Sequence, residues 1–376
     1  MPEPFKNLLN QKIIKDMAMH FKHQWSKFDD KGFMLMATKN LDSLELKERT
    51  ERITETMIKY FPDDFKKAGK IMLASLGTPL ADNVSAGTVD KKGISGWAVT
   101  PLTHYVGLLG HKHFDFSMIL FKEMTKYASS EFGIRFFLLE APEKTLSVMK
   151  SWTTDLNKHV RRLASEGSRP RLPWAMSLPV YIKDPSPVIE LLKELKDDNE
   201  EYVRRSVANN LNDIAKDHPD VVAEIAAHWI KDASKERKKL VRHACRTLIK
   251  NGHKKTLKIL GYNTPNIHKI NIDILTPEVV FGGSLQFTLS LCSDSNMDQA
   301  LMIDYIIHHQ KANGKTSPKV FKWRTAILSE KQTLNIAKKH SIKKITTRVY
   351  YPGVHTVEVM VNGDSVGKAD FQLIMP

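Results

Sequence analysis

Acidic residues set among arginines are the part of this sequence best equipped for chemistry. The densest polar stretch, KHVRRLASEGSRPRLPW, runs from Lys158 to Trp174 and surrounds Glu166 with Lys158, Arg161, Arg162, Arg169 and Arg171. Basic side chains beside an indole are the residue types that hold phosphates and stack on bases. Proline disfavours helix at the residue before it, so Arg-Pro-Arg-Leu-Pro-Trp is expected to be extended. The same composition describes a capped helix end with solvated arginines, and composition does not separate the two. A second set lies at 201–216. Arg205, Asn209 and Asp213 fall at i, i+4 and i+8 and share a helix face. That face is either a polar stripe lining the concave side of stacked helix pairs or a solvated ladder. Glu131 follows Ser129 and Ser130, a pattern that reads as a serine cap with a first-turn acid. Phe132, Phe136 and Phe137 with Ile134 read as core, and Trp152 and Trp229 as packing residues.

Standard signatures are missing. No Gly-x-x-x-x-Gly-Lys loop, Gly-x-Gly-x-x-Gly or Gly-x-Ser-x-Gly occurs. His111-Lys112-His113 and His308-His309 lack the carboxylate context of a zinc helix, so neither a metal nor another cofactor is expected. Cys245 and Cys292 are the only cysteines and supply no disulfide framework.

The elements that must position these residues change period along the chain. Residues 114–260 read as helices. Val188, Leu191, Leu192 and Leu195 form one apolar stripe, and Val203, Val207, Leu211 and Ile214 the next. Val160-Arg161-Arg162, Val203-Arg204-Arg205 and Val241-Arg242-His243 recur at spacings of 43 and 38. That period fits HEAT-type repeats, helix pairs stacked into a curved solenoid; the alternative is an ordinary helical domain. After Tyr262 the period becomes two. Leu285, Phe287, Leu289 and Leu291 alternate with polar residues, as do Val357, Val359 and Val361 ahead of an Asn362-Gly363 hairpin turn. Phe371 and Leu373 continue the pattern. An immunoglobulin-like β-sandwich is expected over 262–376, after an α-helical domain over 1–261, with the break near Gly261 to Pro265. Nearer the start, Ile13, Met17 and Phe21, then Ile53, Met57 and Phe61, keep helical spacing, and a loop is expected from Gly77 to Thr103.

The chain has 376 residues, 57 Lys plus Arg and 42 Asp plus Glu, a net charge of +15. From Tyr262 onward the balance is only thirteen basic to nine acidic residues, so most of the excess sits in the helical part. Such a balance favours an anionic partner: nucleic acid first, then a membrane surface or acidic protein. No apolar run reaches the roughly 18 residues that span a bilayer. The start of the chain lacks the basic-then-apolar pattern of a secretory signal, and a cytoplasmic protein is expected.

Three stretches together resemble a known family. Ser129-Ser130-Glu131-Phe132-x-Ile134-Arg135, then Val160-Arg161-Arg162-Leu163-x-Ser165-Glu166-Gly167-x-Arg169-Pro170-Arg171-Leu172-Pro173-Trp174, then Val203 to Asp213 are similar to the HEAT-like DNA alkylation-repair glycosylases of the AlkC/AlkD superfamily. The closest branch is AlkC, in its form with a C-terminal immunoglobulin-like domain. The resemblance implies a monofunctional glycosylase that removes cationic methylated bases from double-stranded DNA, chiefly 3-methyladenine and also 3-methylcytosine, without flipping the base fully out. It implies catalytic roles for Glu131, Glu166, Trp174 and Asp213. Arg161, Arg162, Arg169, Arg171 and Arg205 would then hold flanking phosphates. It also implies a monomer with no obligate protein partner and no membrane. The competing readings are a non-catalytic HEAT-repeat protein that binds damaged or branched DNA and a protein-interaction scaffold.

Overall fold

The structure, a computed structural model, describes residues 4–80, 89 and 91–375. It divides into two compact units. One is the chain up to Asp217 together with Ser234–Ala244, and the other is His218–Ala233 with Cys245 onward. Among the described residues, no helix is long and apolar enough to cross a membrane.

The first unit is helical. Ile13, Met17 and Phe21 are buried on the helix Gln11–Gln24, and Ile53 and Met57 on Leu46–Tyr60, as their spacing requires. The loop expected over Gly77 to Thr103 lies partly outside the described residues. Its end is helical instead, because Thr100–Leu109 starts there with Pro101 in its first turn, where a missing N–H costs nothing.

The Val-Arg-Arg copies fall at matching places. Val160, Val203 and Val241 are all buried, on the helices Lys158–Gly167, Glu201–Ile214 and Lys235–Ala244. In two copies the first arginine does the same work. Arg161 donates to the carbonyls of Asp155 and Leu156 at 2.9 and 3.1 Å. Arg204 donates to those of Asp198 and Asn199. Each arginine fastens the loop that enters its own helix. In these two copies the side chain following the valine is thus structural.

In the second unit eight strands follow the last helix, Lys254–Ile259: β1 (Ile267–Ile274), β2 (Glu278–Val280), β3 (Ser284–Ser293), β4 (Gln299–Gln310), β5 (Thr316–Leu328), β6 (Thr333–Ser341), β7 (Gly353–Val361) and β8 (Asp364–Ile374). They form a three-stranded sheet, β1-β3-β6, and a five-stranded one, β2-β8-β7-β4-β5. The alternating residues of β3 and β7 meet between them: Leu285, Phe287, Leu289, Leu291, Val357, Val359 and Val361 are fully buried. Asn362 and Gly363 join β7 to β8 with φ of +50° and +79°, both left-handed as a type I′ turn requires. A Cβ on Gly363 would lie 2.8 Å from the Gly252 carbonyl oxygen, so the close approach also demands glycine.

Phe287 packs its ring 5.0 Å from Trp323 and 5.4 Å from Tyr305. Truncation to alanine empties that volume and is expected to cost about 3–5 kcal/mol. The check is urea unfolding of the full chain: the sandwich transition should move to lower urea in Phe287→Ala.

Candidate active site

Three sequence-distant segments converge in the first unit. The helix Lys158–Gly167 starts on an Asn157 cap, whose side chain accepts from the His159 N–H at 2.8 Å. It buries Val160, Leu163 and Ala164. The helix Glu201–Ile214 packs against it. Its apolar stripe carries a parallel polar one, Ser206, Asn210 and Asp213, which is also buried. Asn210 Nδ2 donates to the Ser165 carbonyl at 2.8 Å and to Ser168 Oγ at 3.2 Å, locking the register of the two helices. The turn bearing Glu131 precedes the helix Ile134–Glu140.

At this junction acids and bases alternate. Arg162 Nη1 donates to Glu131 Oε2 at 2.8 Å and to Ser129 Oγ at 3.0 Å. Its Nη2 lies 3.4 Å from Glu166 Oε1. Arg169 Nη1 reaches the same Oε1 at 2.7 Å, and its Nε donates to Asp213 Oδ2 at 2.7 Å. Lys216 closes the row on Asp213 Oδ1 at 2.9 Å. The order is Glu131, Arg162, Glu166, Arg169, Asp213, Lys216, so Glu166 and Asp213 each lie between two cations and Glu131 beside one. Ser206 Oγ donates to the second Glu166 oxygen at 2.6 Å. Tyr202 offers its ring face to Arg162, 4.9 Å from the guanidinium carbon.

These acids are not solvated side chains. Asp213 is 1 % exposed and Glu166 4 %. Burial raises the Glu166 pKa, but Arg162, Arg169 and the Ser206 hydroxyl outweigh it and hold the carboxyl below its ordinary value. Burial likewise disfavours the charged guanidiniums, yet Glu131 and Glu166 keep Arg162, and Glu166 and Asp213 keep Arg169, above the usual arginine value. The ladder of solvated i, i+4 pairs is therefore corrected at Asp213. That residue shares the buried stripe with Ser206 and Asn210, while Arg205 is exposed and Asn209 half-buried beside His243, 3.0 Å away. Glu131 serves Arg162 and not a helix cap; the Gly133 cap position receives no side-chain hydrogen bond.

Trp174 sits in a strained turn that follows Arg169 in the chain. The segment from Arg169 to Trp174 is not extended. It forms successive turns, with the Ala175 N–H donating to the Leu172 carbonyl at 3.2 Å and the Leu178 N–H to that of Pro170 at 3.0 Å. Each residue ahead of a proline avoids helix, but prolines also favour the second position of a turn, and that preference wins here. Trp174 has φ +65°, a left-handed conformation rare for a bulky residue, and is 61 % exposed. The fully buried Arg135 ties the loop down. Its guanidinium donates to the carbonyls of Met176 at 2.6 Å, Gly167 at 2.9 Å and Arg169 at 2.8 Å. Burial, then the nearby Arg169, pull its pKa down to about 10.

The five arginines expected at phosphates separate. Arg162 and Arg169 hold carboxylates. Arg161, besides its loop carbonyls, makes a two-pronged pair with Asp198 at 2.6 and 3.0 Å. Arg171 pairs with Asp217 at the surface, both contacts at 2.8 Å, and Arg205 is exposed. A guanidinium buried against carboxylates loses its hydration and repays it only through those partners, which is why three of the five face inward. Arg135, Ser206 and Asn210 belong to the site although the sequence reading gave them no role. The signal for the last two was a polar stripe running at the same helical spacing as the apolar one.

Comparison with known proteins finds two families along the chain. Residues 128–248 match the DNA alkylation repair enzyme family, and residues 269–375 match the C-terminal immunoglobulin-like domain of the YhaZ family. The uncharacterized protein YhaZ of Bacillus subtilis is 35% identical over 370 residues, 98% of this chain and 99% of its own. The structure of Pseudomonas fluorescens alkylpurine DNA glycosylase AlkC, bound to DNA containing an abasic site analog, aligns with a TM-score of 0.87 at 34% identity. That alignment covers 99% of this chain and 100% of the other.

Proposed function

The chain belongs to the AlkC-type branch of the DNA alkylation repair enzymes, and on that premise we propose that it is a DNA glycosylase for bases that already carry positive charge. One observation carries the choice of substrate. Glu166 is held below its ordinary pKa while Arg162 and Arg169 are held above theirs. Glu166, Arg162 and Arg169 therefore offer no ready proton to a leaving base. A neutral base needs a general acid to depart, whereas an N3-methylated purine or pyrimidine leaves as a neutral molecule unaided. The substrates of this reading are 3-methyladenine and 3-methylcytosine in double-stranded DNA.

What the site supplies is charge at the sugar. As the C1′–N bond breaks, its electron pair goes to the base and positive charge develops on the deoxyribose. Asp213 is the main stabilising carboxylate and Glu166 and Glu131 assist, orienting the water that attacks C1′. Of the two cations on Asp213, Lys216 has a side chain 43% exposed and Arg169 one only 8% exposed. Lys216 can turn to an arriving phosphate and free Oδ1, while Arg169 keeps the carboxylate aimed. The exposed Trp174 places its ring face against the cationic sugar or base. Arg171 and Arg205 take phosphates; a surface pair such as Arg171–Asp217 is worth little and exchanges readily. Catalysis at the duplex edge by exposed Trp174 fits a base that is not fully flipped.

The test is chromatography of bases released from a methylated duplex. Release of 3-methyladenine by the purified chain is the expected result. Salt-dependent DNA binding with no base released would instead make the chain a non-catalytic binder of damaged DNA. Trp174→Ala removes a cation–π contact worth about 1–2 kcal/mol, so single-turnover release should fall roughly tenfold.

A further inference from the structure

A cleft of about 180 Å³ lies in the first unit. Trp97, Phe132, Phe136, His104 and Glu51 line it with Trp174. Phe132 directly follows Glu131 in the chain, so one turn contributes to both the cleft and the row.

The cleft is built. Phe132 and Phe136 were expected in the core, yet both are half-buried, unlike Phe137 and Ile134 beside them. Glycine permits this placement. A Cβ on Gly107 would sit 2.5 Å from Phe136 Cδ2, and one on Gly133 would sit 2.4 Å from the Thr103 carbonyl oxygen. The two tryptophans are braced by Phe5, edge-on at 5.2 Å from Trp97 and 5.9 Å from Trp174. Phe5 is held in turn by buried Arg49, which donates to the Lys6 and Leu9 carbonyls at 3.0 and 3.2 Å. Burial lowers the His104 pKa, so its ring is neutral at pH 7 and can both donate and accept. Glu51 supplies an exposed carboxylate.

We propose that this cleft is a receiving site for the released methylated nucleobase, a planar heterocycle with an exocyclic amine. The proposal rests on the glycosylase reading. Before cleavage the base is cationic and tied to the sugar. When the C1′–N bond breaks, both electrons go to the base, which becomes neutral; water adds to C1′ and gives up a proton to bulk solvent. A neutral flat ring then leaves a row of paired charges for aromatic faces that stack on it. Glu51 accepts from the amine, and His104 meets a ring nitrogen. No strand needs to enter the cleft, so only the free base requires room.

Equilibrium dialysis of free 3-methyladenine against the DNA-free full-length protein tests this. Saturable binding is expected in the wild type, at least tenfold weaker in Trp97→Ala, severalfold weaker in Glu51→Gln, and retained in Trp97→Phe and Asp213→Asn. The Phe variant keeps a ring in place, so loss in Trp97→Ala alone is not unfolding. No saturable binding by the wild type, or undiminished binding by Trp97→Ala, overturns the proposal. Excision from methylated duplex is measured on the same wild-type sample. Excision without base binding removes the cleft alone; base binding without excision removes the glycosylase reading.

Discussion

Asp213→Asn is expected to slow base release from methylated duplex by at least about a hundredfold while DNA affinity stays level or rises. The amide keeps the size of the carboxylate and removes its charge. One positioned charge facing a developing cation is worth roughly 3 kcal/mol, about a hundredfold in rate. Binding moves the other way, because Asp213 is an anion placed against a polyanion and its neutralisation removes repulsion. A purely structural role would lower rate and affinity together through misfolding. Single-turnover release and a binding titration on the same preparation separate the two cases.

Arg169→Met is the second large effect. Arg169 bridges Glu166 and Asp213 with contacts of 2.7 Å to each and is itself buried. Removing it leaves two buried carboxylates facing each other with one cation fewer, a loss of about 3–5 kcal/mol in stability. The pH dependence follows. Glu166 is depressed in the folded state, so its contribution is present above the ordinary carboxylate pKa and is lost as pH falls through the lower, folded value. Without Arg169 that depression shrinks, and acid unfolding begins at higher pH. Thermal unfolding of both proteins across the acid range shows the shift. Arg169→Lys keeps the charge but cannot form the two-pronged bridge, and falls between the two.

The switch from helical to two-residue period was readable because burial on one face leaves its own periodicity. So was the Asn362-Gly363 turn, whose left-handed pair is chemistry of two adjacent residues. The site was readable only in part. Glu131, Glu166 and Asp213 stood out as acids among arginines. Their joining did not, since Arg162 reaches back 31 residues to Glu131 and Arg169 forward 44 to Asp213. Residue type marks an arginine as able to hold a phosphate or a carboxylate equally well; only packing decides. Arg161 went to a loop, Arg162 and Arg169 to acids. Phe132 and Phe136 misled for the same reason, because aromatics at helical spacing line a cleft as naturally as they fill a core. The strained turn of Trp174 needs the buried Arg135 beneath it, and that support crosses 41 residues to Met176.

On the proposed reading the row stabilises a sugar cation but gives no proton to the leaving base. The most direct test of that reading compares single-turnover release of 3-methyladenine and of hypoxanthine, a neutral base, from otherwise identical duplexes between pH 6 and pH 9. Rapid, nearly pH-independent release of 3-methyladenine is expected, with no hypoxanthine above the uncatalysed background. Release of hypoxanthine at a comparable rate, falling as pH rises, would reveal a general acid and contradict that reading.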